Sequence, residues 1–597
     1  MKRLSITAVS LSLTILAGCS TPGDQVVTTA AGPSAVPQPV TATNTLRPAM
    51  TAPVEVIKRN KANPNRKIRV TGDHAAYTST AVDSVEMTAL PEIAAPTPAA
   101  DGVVRVAGGA RIEGPMSDAQ ADAAIANAQN NAPPIKPRKG NGNLRGPQLK
   151  NGWDAIGAEG CCNDPVPFTA TVPPDPDIAV GPDHVIVVVN VSFAIFDRNG
   201  NELQGATPFS AFFAGVDPAC GPGGPFDPDV IYDELSGEFI MGADGDGTDY
   251  CIAATVGGDP LGTWNRAAFP ADVNGEFFDF PHMGISNDAI YVGSNQFGPG
   301  FVGGRVFAVN KANLLAGEPL QVVQRLVPNF NSTPQPANLR GANDGTIPTS
   351  GPHYIMTEFF DGNNHSVWSW NDPFGADEFA LEGDVDLATA SGLPCPGGAC
   401  FPVPVPQAGS ASLLAGNDWR GQETKYRNGH LYTAQTVSCD PGSGVVNCVR
   451  WAKIDPEAVT PGSSTDGVAD AGIVTAADGV HRWFPSIDAD RCSNVAIGYS
   501  VSSPSMFPGT AVTGRQNRDA PGTTRIEVIA GVGTASYESF QGGFNRWGDY
   551  SGMAIDPEGK RFYYAGEYAR PSDNPFANWA VYVSEHKFPC GGRGLAR

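Results

Sequence analysis

Residues 546–568 read RWGDYSGMAIDPEGKRFYYAGEY. An arginine, a tryptophan, an aspartate and a tyrosine stand side by side at the head of this stretch. A short apolar run follows, then a turn over Asp556, Pro557, Glu558 and Gly559, then an alternating apolar return. Period-two alternation on both sides of a Gly-containing turn is the pattern of a β-hairpin. The polar head admits two uses, a chemical site or an anchor for the hairpin.

The rest of the chain bears on that choice, because the same opening recurs. It appears as DIAVGPDHVIVVVN from Asp177, DPDVIYDELSGEFIMG from Asp227, DFPHMGISNDAIYVGSN from Asp279, NDGTIPTSGPHYIMTEF from Asn343, GQETKYRNGHLYTAQT from Gly421 and FPSIDADRCSNVAIGYS from Phe484. With the stretch from Trp547 this makes seven units, about 50 to 80 residues apart. A parallel β-helix repeats at much shorter intervals, and a pair of sandwiches has no reason to repeat one opening seven times. A four-stranded blade with long loops fits the period, so an all-β, seven-bladed β-propeller is expected. Turn signals agree at Asn199-Gly200, Asn287-Asp288, Asn428-Gly429 and Glu558-Gly559.

Composition sets the outer bounds. The chain has 597 residues, 39 Lys and Arg against 61 Asp and Glu, and a formal charge of -22. That excess of negative charge argues against nucleic acid and anionic membrane surfaces as partners. Charged residues are 17% of the chain, too few for long amphipathic helices, while Gly and Pro together make up about a fifth of it. Residues 20–150 are rich in Ala, Thr, Pro and Val without periodicity, and are expected as a disordered tether. Within it, 58–69 carries a basic cluster and 117–130 a short helical pattern. The propeller is assigned to 151–590 and a tail to 591–597, and the protein is expected to be a monomer.

Residues 1–19 carry Lys2 and Arg3, an apolar run and the ending Leu16-Ala17-Gly18-Cys19. Charged start, apolar stretch and small residues form a secretory signal. The ending resembles the lipobox of bacterial lipoproteins, which implies acylation at Cys19. Ser20 rather than Asp follows it, which implies anchoring at the outer membrane, periplasmic or surface-exposed. Ten further cysteines would then sit in an oxidising compartment. Cys395 with Cys400 and Cys439 with Cys448 have the spacing of local staples. Pairing of Cys161 or Cys162 with Cys590 would lock the two ends of the domain, with a strand near 166–172 completing the last blade. No CxxC pair or neighbouring His suggests zinc.

The phrases AVGPDHVIVVVN, DPDVIYDELSGEF, DFPHMGISNDAIYVGSNQF and RWGDYSGMAIDPEGKRFYYAGEY resemble, in this order, the signatures of a large group of secreted or lipid-anchored bacterial β-propeller proteins. The resemblance spans roughly 174–588. It implies the fold and an exported location, and it brings no reaction and no catalytic residue.

If each unit opens with the innermost strand, the polar anchors gather at one mouth. They are Asp177, Asp229, Asp279 with His282, Arg340 with Asp344, Arg420 with Glu423, Asp488, and Arg546 with Asp549 and Tyr550. One reading makes them ties, each short polar side chain satisfying backbone N–H groups of a neighbouring unit. A second makes them a carbohydrate-active site of sialidase-like or polysaccharide-lyase type. There Arg340, Arg420 and Arg546 would clasp a substrate carboxylate, Tyr550 or Glu423 would act as nucleophile, and Asp279 or His282 as acid or base. A third is a binding module for a glycan or protein ligand, with Trp368, Trp370, Trp419, Trp483 and Trp547 able to stack on sugars. The binding module is the leading expectation and the enzyme its alternative. No cofactor is called for, although Asp244, Asp246 and Asp249 resemble part of a calcium loop. Thr255 occupies the twelfth position, where an EF-hand has Glu. P-loop, G-x-S-x-G, H-E-x-x-H and dinucleotide motifs are absent from the sequence.

Overall fold

The computed structural model describes residues 68–69, 74–78, 82–87, 104–106, 144–161, 170–221, 225–327, 331–348, 350–359, 362–395, 400–416, 418–541, 544–574 and 577–590. The fold is all-β. Its first four-stranded antiparallel meander, sheet 1, spans Asp177–Val180 to Glu202–Pro208. Sheet 2 runs from Phe226–Asp233 to Thr263–Pro270, sheet 3 from Phe277–Ile285 to Gln321–Leu326, and sheet 4 from Asn331–Leu339 to Glu378–Asp386. Sheet 5 runs from Thr424–Arg427 to Val468–Val474 and sheet 6 from His481–Ala489 to Val528–Ile529. Sheet 7 takes three strands, Gly552–Ile555, Phe562–Ala569 and Trp579–Lys587, and borrows its fourth, Gln148–Gly157, from upstream.

These sheets stack face to face, which explains why their strands are apolar on both sides. In His184–Val189, Val185, Val187 and Val189 pack with Ala554, Tyr563 and Val581 of sheet 7. Ile186 and Val188 of the same strand pack with Val230 and Phe239 of sheet 2. Each further neighbouring pair shares its own core: sheets 2 and 3 around Phe269 and Phe307, sheets 3 and 4 around Tyr291 and Trp368, sheets 4 and 5 around Met356 and Leu431. Sheets 5 and 6 meet around Trp451 and Ile497, and sheets 6 and 7 around Val512 and Phe562. Since sheet 7 also packs on sheet 1, the sequence of cores returns to its start.

Turn chemistry follows the sequence. Asn428 (φ 52°) and Gly429 (φ 77°) connect Thr424–Arg427 to His430–Cys439 with both central residues left-handed, the two-residue turn that matches strand twist. A second local device recurs at strand starts. Asp175, Asp227, Phe280, Thr333 and Phe484 all have φ between 45° and 56° and all precede a proline. A residue before proline is barred from right-handed helical geometry. In sheets 2, 3, 4 and 6 the pair coincides with a register shift, a bulge that bends the strand near its start.

Several expectations are corrected. The fourth unit opens at Asn331 rather than Asn343, because Asn343 lies in a short 3-10 turn, Ala342–Asp344, that follows the first strand. Gln148–Gly157, not 166–172, completes sheet 7, and Ala170–Val172 pairs in parallel with Val104–Val106. Within 20–150, three short strands add to outer sheet edges: Ile68–Arg69 to sheet 4, His74–Thr78 to sheet 3 and Asp83–Glu86 to sheet 2. This upstream chain therefore passes the sheets in the reverse of their order. Cys395–Cys400 and Cys439–Cys448 are bonded as the spacing suggested. Cys590 is bonded to Cys492 of sheet 6, which displaces the expected pairing with Cys161 or Cys162. Cys220–Cys251 is a further disulfide, and Cys161 is disulfide-bonded as well. Cys19, the helical pattern at 117–130 and the tail 591–597 lie outside the described residues.

Candidate functional site

The first strands of the seven sheets lie next to one another in order, and that of sheet 7 returns to that of sheet 1. Where these strands begin, side chains from five sheets converge. The Tyr550 hydroxyl of sheet 7 donates to Asp227 Oδ2 of sheet 2 at 3.1 Å. Phe280 of sheet 3 stacks on Tyr550 with ring centroids 4.7 Å apart, and His282 lies at 5.6 Å from the same ring. The Arg420 guanidinium, ahead of sheet 5, sits 3.5 Å from the Phe280 ring centroid. Asp175, ahead of sheet 1, accepts the Asp549 N–H at 2.6 Å and the Asn190 amide at 2.6 Å, while Asn190 Oδ1 accepts the Asp227 N–H at 2.7 Å. Gln422 donates to the Asp549 carbonyl and accepts the Ser551 N–H at 3.1 Å.

Electrostatics divides the carboxyl groups. Asp227 is raised well above the ordinary carboxylate range by burial, then by Asp175, Asp279 and Asp549. Asp175 is raised to about 7, by burial first and by Asp549 second. Asp549, against its burial, is held low by Arg546 and then Arg420. Burial, aided by Arg420 and Lys425, lowers His282 to about 3, so its imidazole is neutral near pH 7. Tyr550 and Asp227 keep 8% and 9% of their surfaces exposed and Phe280 2%, so the cluster is buried with a thin margin of solvent contact at this mouth, where the first strands begin.

The opposite ends of the first strands are closed. Glu234 of sheet 2 accepts the N–H groups of Gly341 and Ala342 at 2.9 and 2.8 Å, and Asn343 donates to the Pro557 carbonyl of sheet 7 at 2.7 Å. Asp344 pairs with Arg427 of sheet 5. The loop after the first strand of sheet 4 thus touches sheets 2, 5 and 7.

This arrangement sorts the residues expected from sequence. Tyr550, His282, Asp279, Arg420, Arg546 and Asp549 come together. Arg546 forms a fork with Asp549 at 2.6 and 2.5 Å, and Arg420 pairs with Asp418 and lies 3.9 Å from Asp549. Arg340 is elsewhere, buried at 2% exposure, donating to the Tyr232 carbonyl at 3.1 Å and 3.8 Å from Asp488. The three arginines therefore form no common clasp. Glu423 pairs with Lys425 and accepts from Ser486 at 2.6 Å. Asp177 accepts the Val230 N–H at 2.9 Å and Asp229 the Met283 N–H at 2.5 Å, each tying its sheet to the next.

Asp244, Asp246 and Asp249 border a turn: Asp244 accepts the Gly247 N–H at 2.7 Å, and Thr248 donates to Asp246 and Asp249 at 2.8 Å. Asp490, Cys492 and Cys590 are the one group at metal-ligand spacing among the described residues, and two of its three members are joined in a disulfide. Of the tryptophans, 368, 370, 483 and 547 are buried at 1% or less and serve the cores, while Trp419 is half-buried against Phe401. Asp175, Asp227, Phe280 and Gln422 were not singled out in the sequence as site residues. The recurring residue-proline pair at strand starts was the available signal for three of them.

No family model matches the chain, and no curated protein matches it. Among solved structures it is similar to the polysaccharide lyase Uly1, at 11% identity over 74% of this chain and 99% of that one, with a TM-score of 0.36. It is similar to an α-L-arabinanase of Penicillium chrysogenum, at 10% identity over 73% of this chain and 98% of that one, TM-score 0.34. A microbial sialidase, Hadza Hz136, is similar at 9% identity over 68% and 73% of the two chains, TM-score 0.31. None of the three lends a residue to the mouth.

Proposed function

We propose that this chain is an exported, lipid-anchored seven-bladed β-propeller that binds an uncharged glycan at the mouth described above. The observation that carries the reading is the floor itself, where the Phe280 and Tyr550 rings lie beside Asp227, Asp549 and Arg420. Phe280 is itself covered by Tyr550 and Arg420, so the groups that suit a sugar's hydroxyls are the Tyr550 hydroxyl, the carboxyl groups of Asp227 and Asp549, and the guanidinium. Seven sheets, a core between each neighbouring pair and the closed far end support the propeller. An acidic sugar fits less well, because its carboxylate would have to displace Asp549 from Arg546 and Arg420. Acylation at Cys19 and outer-membrane anchoring rest on the signal at the start of the sequence.

One observation favours a second reading, turnover of the bound glycan. Burial raises Asp227 well above the ordinary carboxylate range while Arg546 holds Asp549 nearby low, and two carboxyl groups with separated pKa values are what acid catalysis at a glycosidic bond requires. Calorimetric titration of the full chain with neutral oligosaccharides tests the binding, and assay of new reducing ends tests the turnover. Tyr550→Phe and Asp227→Asn should each weaken binding about tenfold, the loss of one to two hydrogen bonds to a buried group. Unchanged affinity in both variants would sink the site.

A further inference from the structure

A cavity of about 310 Å³ opens beside the ends of the first strands of sheets 3, 4 and 5, at the end opposite the mouth. Tyr354 of sheet 4 and Tyr426 of sheet 5 lie side by side in its wall, ring centroids 6.4 Å apart and planes within 17°. They give the wall a pair of near-parallel aromatic rings. Facing them, His353 stacks on Tyr291 at 3.9 Å with planes within 7°, and Trp370 closes the wall behind them. Both ring nitrogens of His353 are buried without a hydrogen-bond partner among the described residues. The rim is polar and exposed: Asn287 and Asp288 from one turn and Asp372 from another. Asp288 Oδ1 accepts from Ser286 and Asp372 Oδ2 from the Ala376 N–H, which leaves each carboxylate a second oxygen for a ligand.

We propose that this cavity is a second saccharide site, taking one or two rings of an uncharged oligosaccharide. An aromatic lining below a rim of carboxylate and amide groups complements a sugar ring, whose faces are apolar and whose edge is a belt of hydroxyls. The volume lies at the lower limit of ligand pockets, about 300 to 1,000 Å³, which suits a short segment rather than a long chain. No lysine or arginine lines the cavity, so the two rim aspartates disfavour an anionic sugar. A hydroxyl also supplies both donor and acceptor, as a neutral imidazole needs and a quaternary ammonium cannot. This inference is independent of the mouth.

The test is titration of the full chain, by calorimetry and by saturation-transfer NMR, with neutral gluco-, xylo-, manno- and galacto-oligosaccharides. Tyr354→Ala is expected to weaken one binding event at least tenfold, and Asp372→Ala, an exposed position that leaves the fold intact, about fivefold. Tyr550→Phe at the mouth should leave this event unchanged, so the two sites fail separately. The proposal is overturned if neither Tyr354→Ala nor Asp372→Ala alters saccharide binding, if no neutral oligosaccharide binds, or if uronate oligomers or tetramethylammonium bind here instead.

Discussion

The hydroxyl of Tyr550 and the carboxyl of Asp227, 323 residues apart in sequence, meet at 3.1 Å across the mouth. This bond ties the last sheet to the second, and removing the hydroxyl while keeping the ring isolates its worth. Tyr550→Phe retains the stack on Phe280 and loses one buried hydrogen bond. Urea denaturation should report a loss of about 1 kcal/mol, rising toward 3 if Asp227 finds no other partner.

Burial and neighbouring charge raise Asp175 to about 7 and Asp227 well above the ordinary carboxylate range. Each prefers its proton in the folded state, so the stability it contributes is present below pH 4 and is lost as pH rises through the folded value. His282 and His353, both lowered to about 3 by burial, act oppositely, adding stability as pH rises toward 6.5. The two effects are separated by comparison. Wild type should lose stability relative to Asp175→Asn between pH 4 and 7, by a few kcal/mol at most. A constant offset across that range would refute the shift at Asp175.

Cys492 and Cys590 enclose 98 residues of sequence separation and fasten sheet 6 to the chain just beyond sheet 7. Removing both as Cys492→Ser with Cys590→Ser should cost about 4 to 5 kcal/mol by loop entropy. Paired denaturation curves measure it, and peptide mapping without reduction checks the pairing itself.

Glu234 holds two N–H groups of the closing loop, those of Gly341 and Ala342. Glu234→Ala leaves both half-buried donors to water. A destabilisation of about 2 to 4 kcal/mol is expected from chemical denaturation, with glycan binding at the mouth unaltered.

Deleting residues 1–87 should leave the outermost strands of sheets 2, 3 and 4 without their added partners. Arg266 would also lose its 2.6 Å ion pair with Asp83. Unpaired edges are templates for association. Size-exclusion chromatography should show oligomers in the truncated protein and none in the full chain. A monodisperse truncated monomer would show the edges are protected otherwise.

Sequence alone carried the all-β class, because alternation in stretches such as HVIVVV and turns such as Asn428-Gly429 are decided by near neighbours. It carried the two short disulfides, whose loops are too small for any other pairing to compete. It also brought six mouth residues into view, Tyr550, His282, Asp279, Arg420, Arg546 and Asp549, since each stands close to the start of a first strand. The fourth opening was misread because its true start, NSTPQPANL, lacks the acidic residue that marks the others. The tertiary structure alone decided the partners: Arg546 and Arg420 with Asp549, Arg340 with Tyr232 and Asp488, Cys590 with Cys492, and the upstream strands with three outer edges. Spacing along the chain fixes which way a side chain points within its strand. Which distant group it meets depends on how the sheets pack on one another, and no local pattern encodes that.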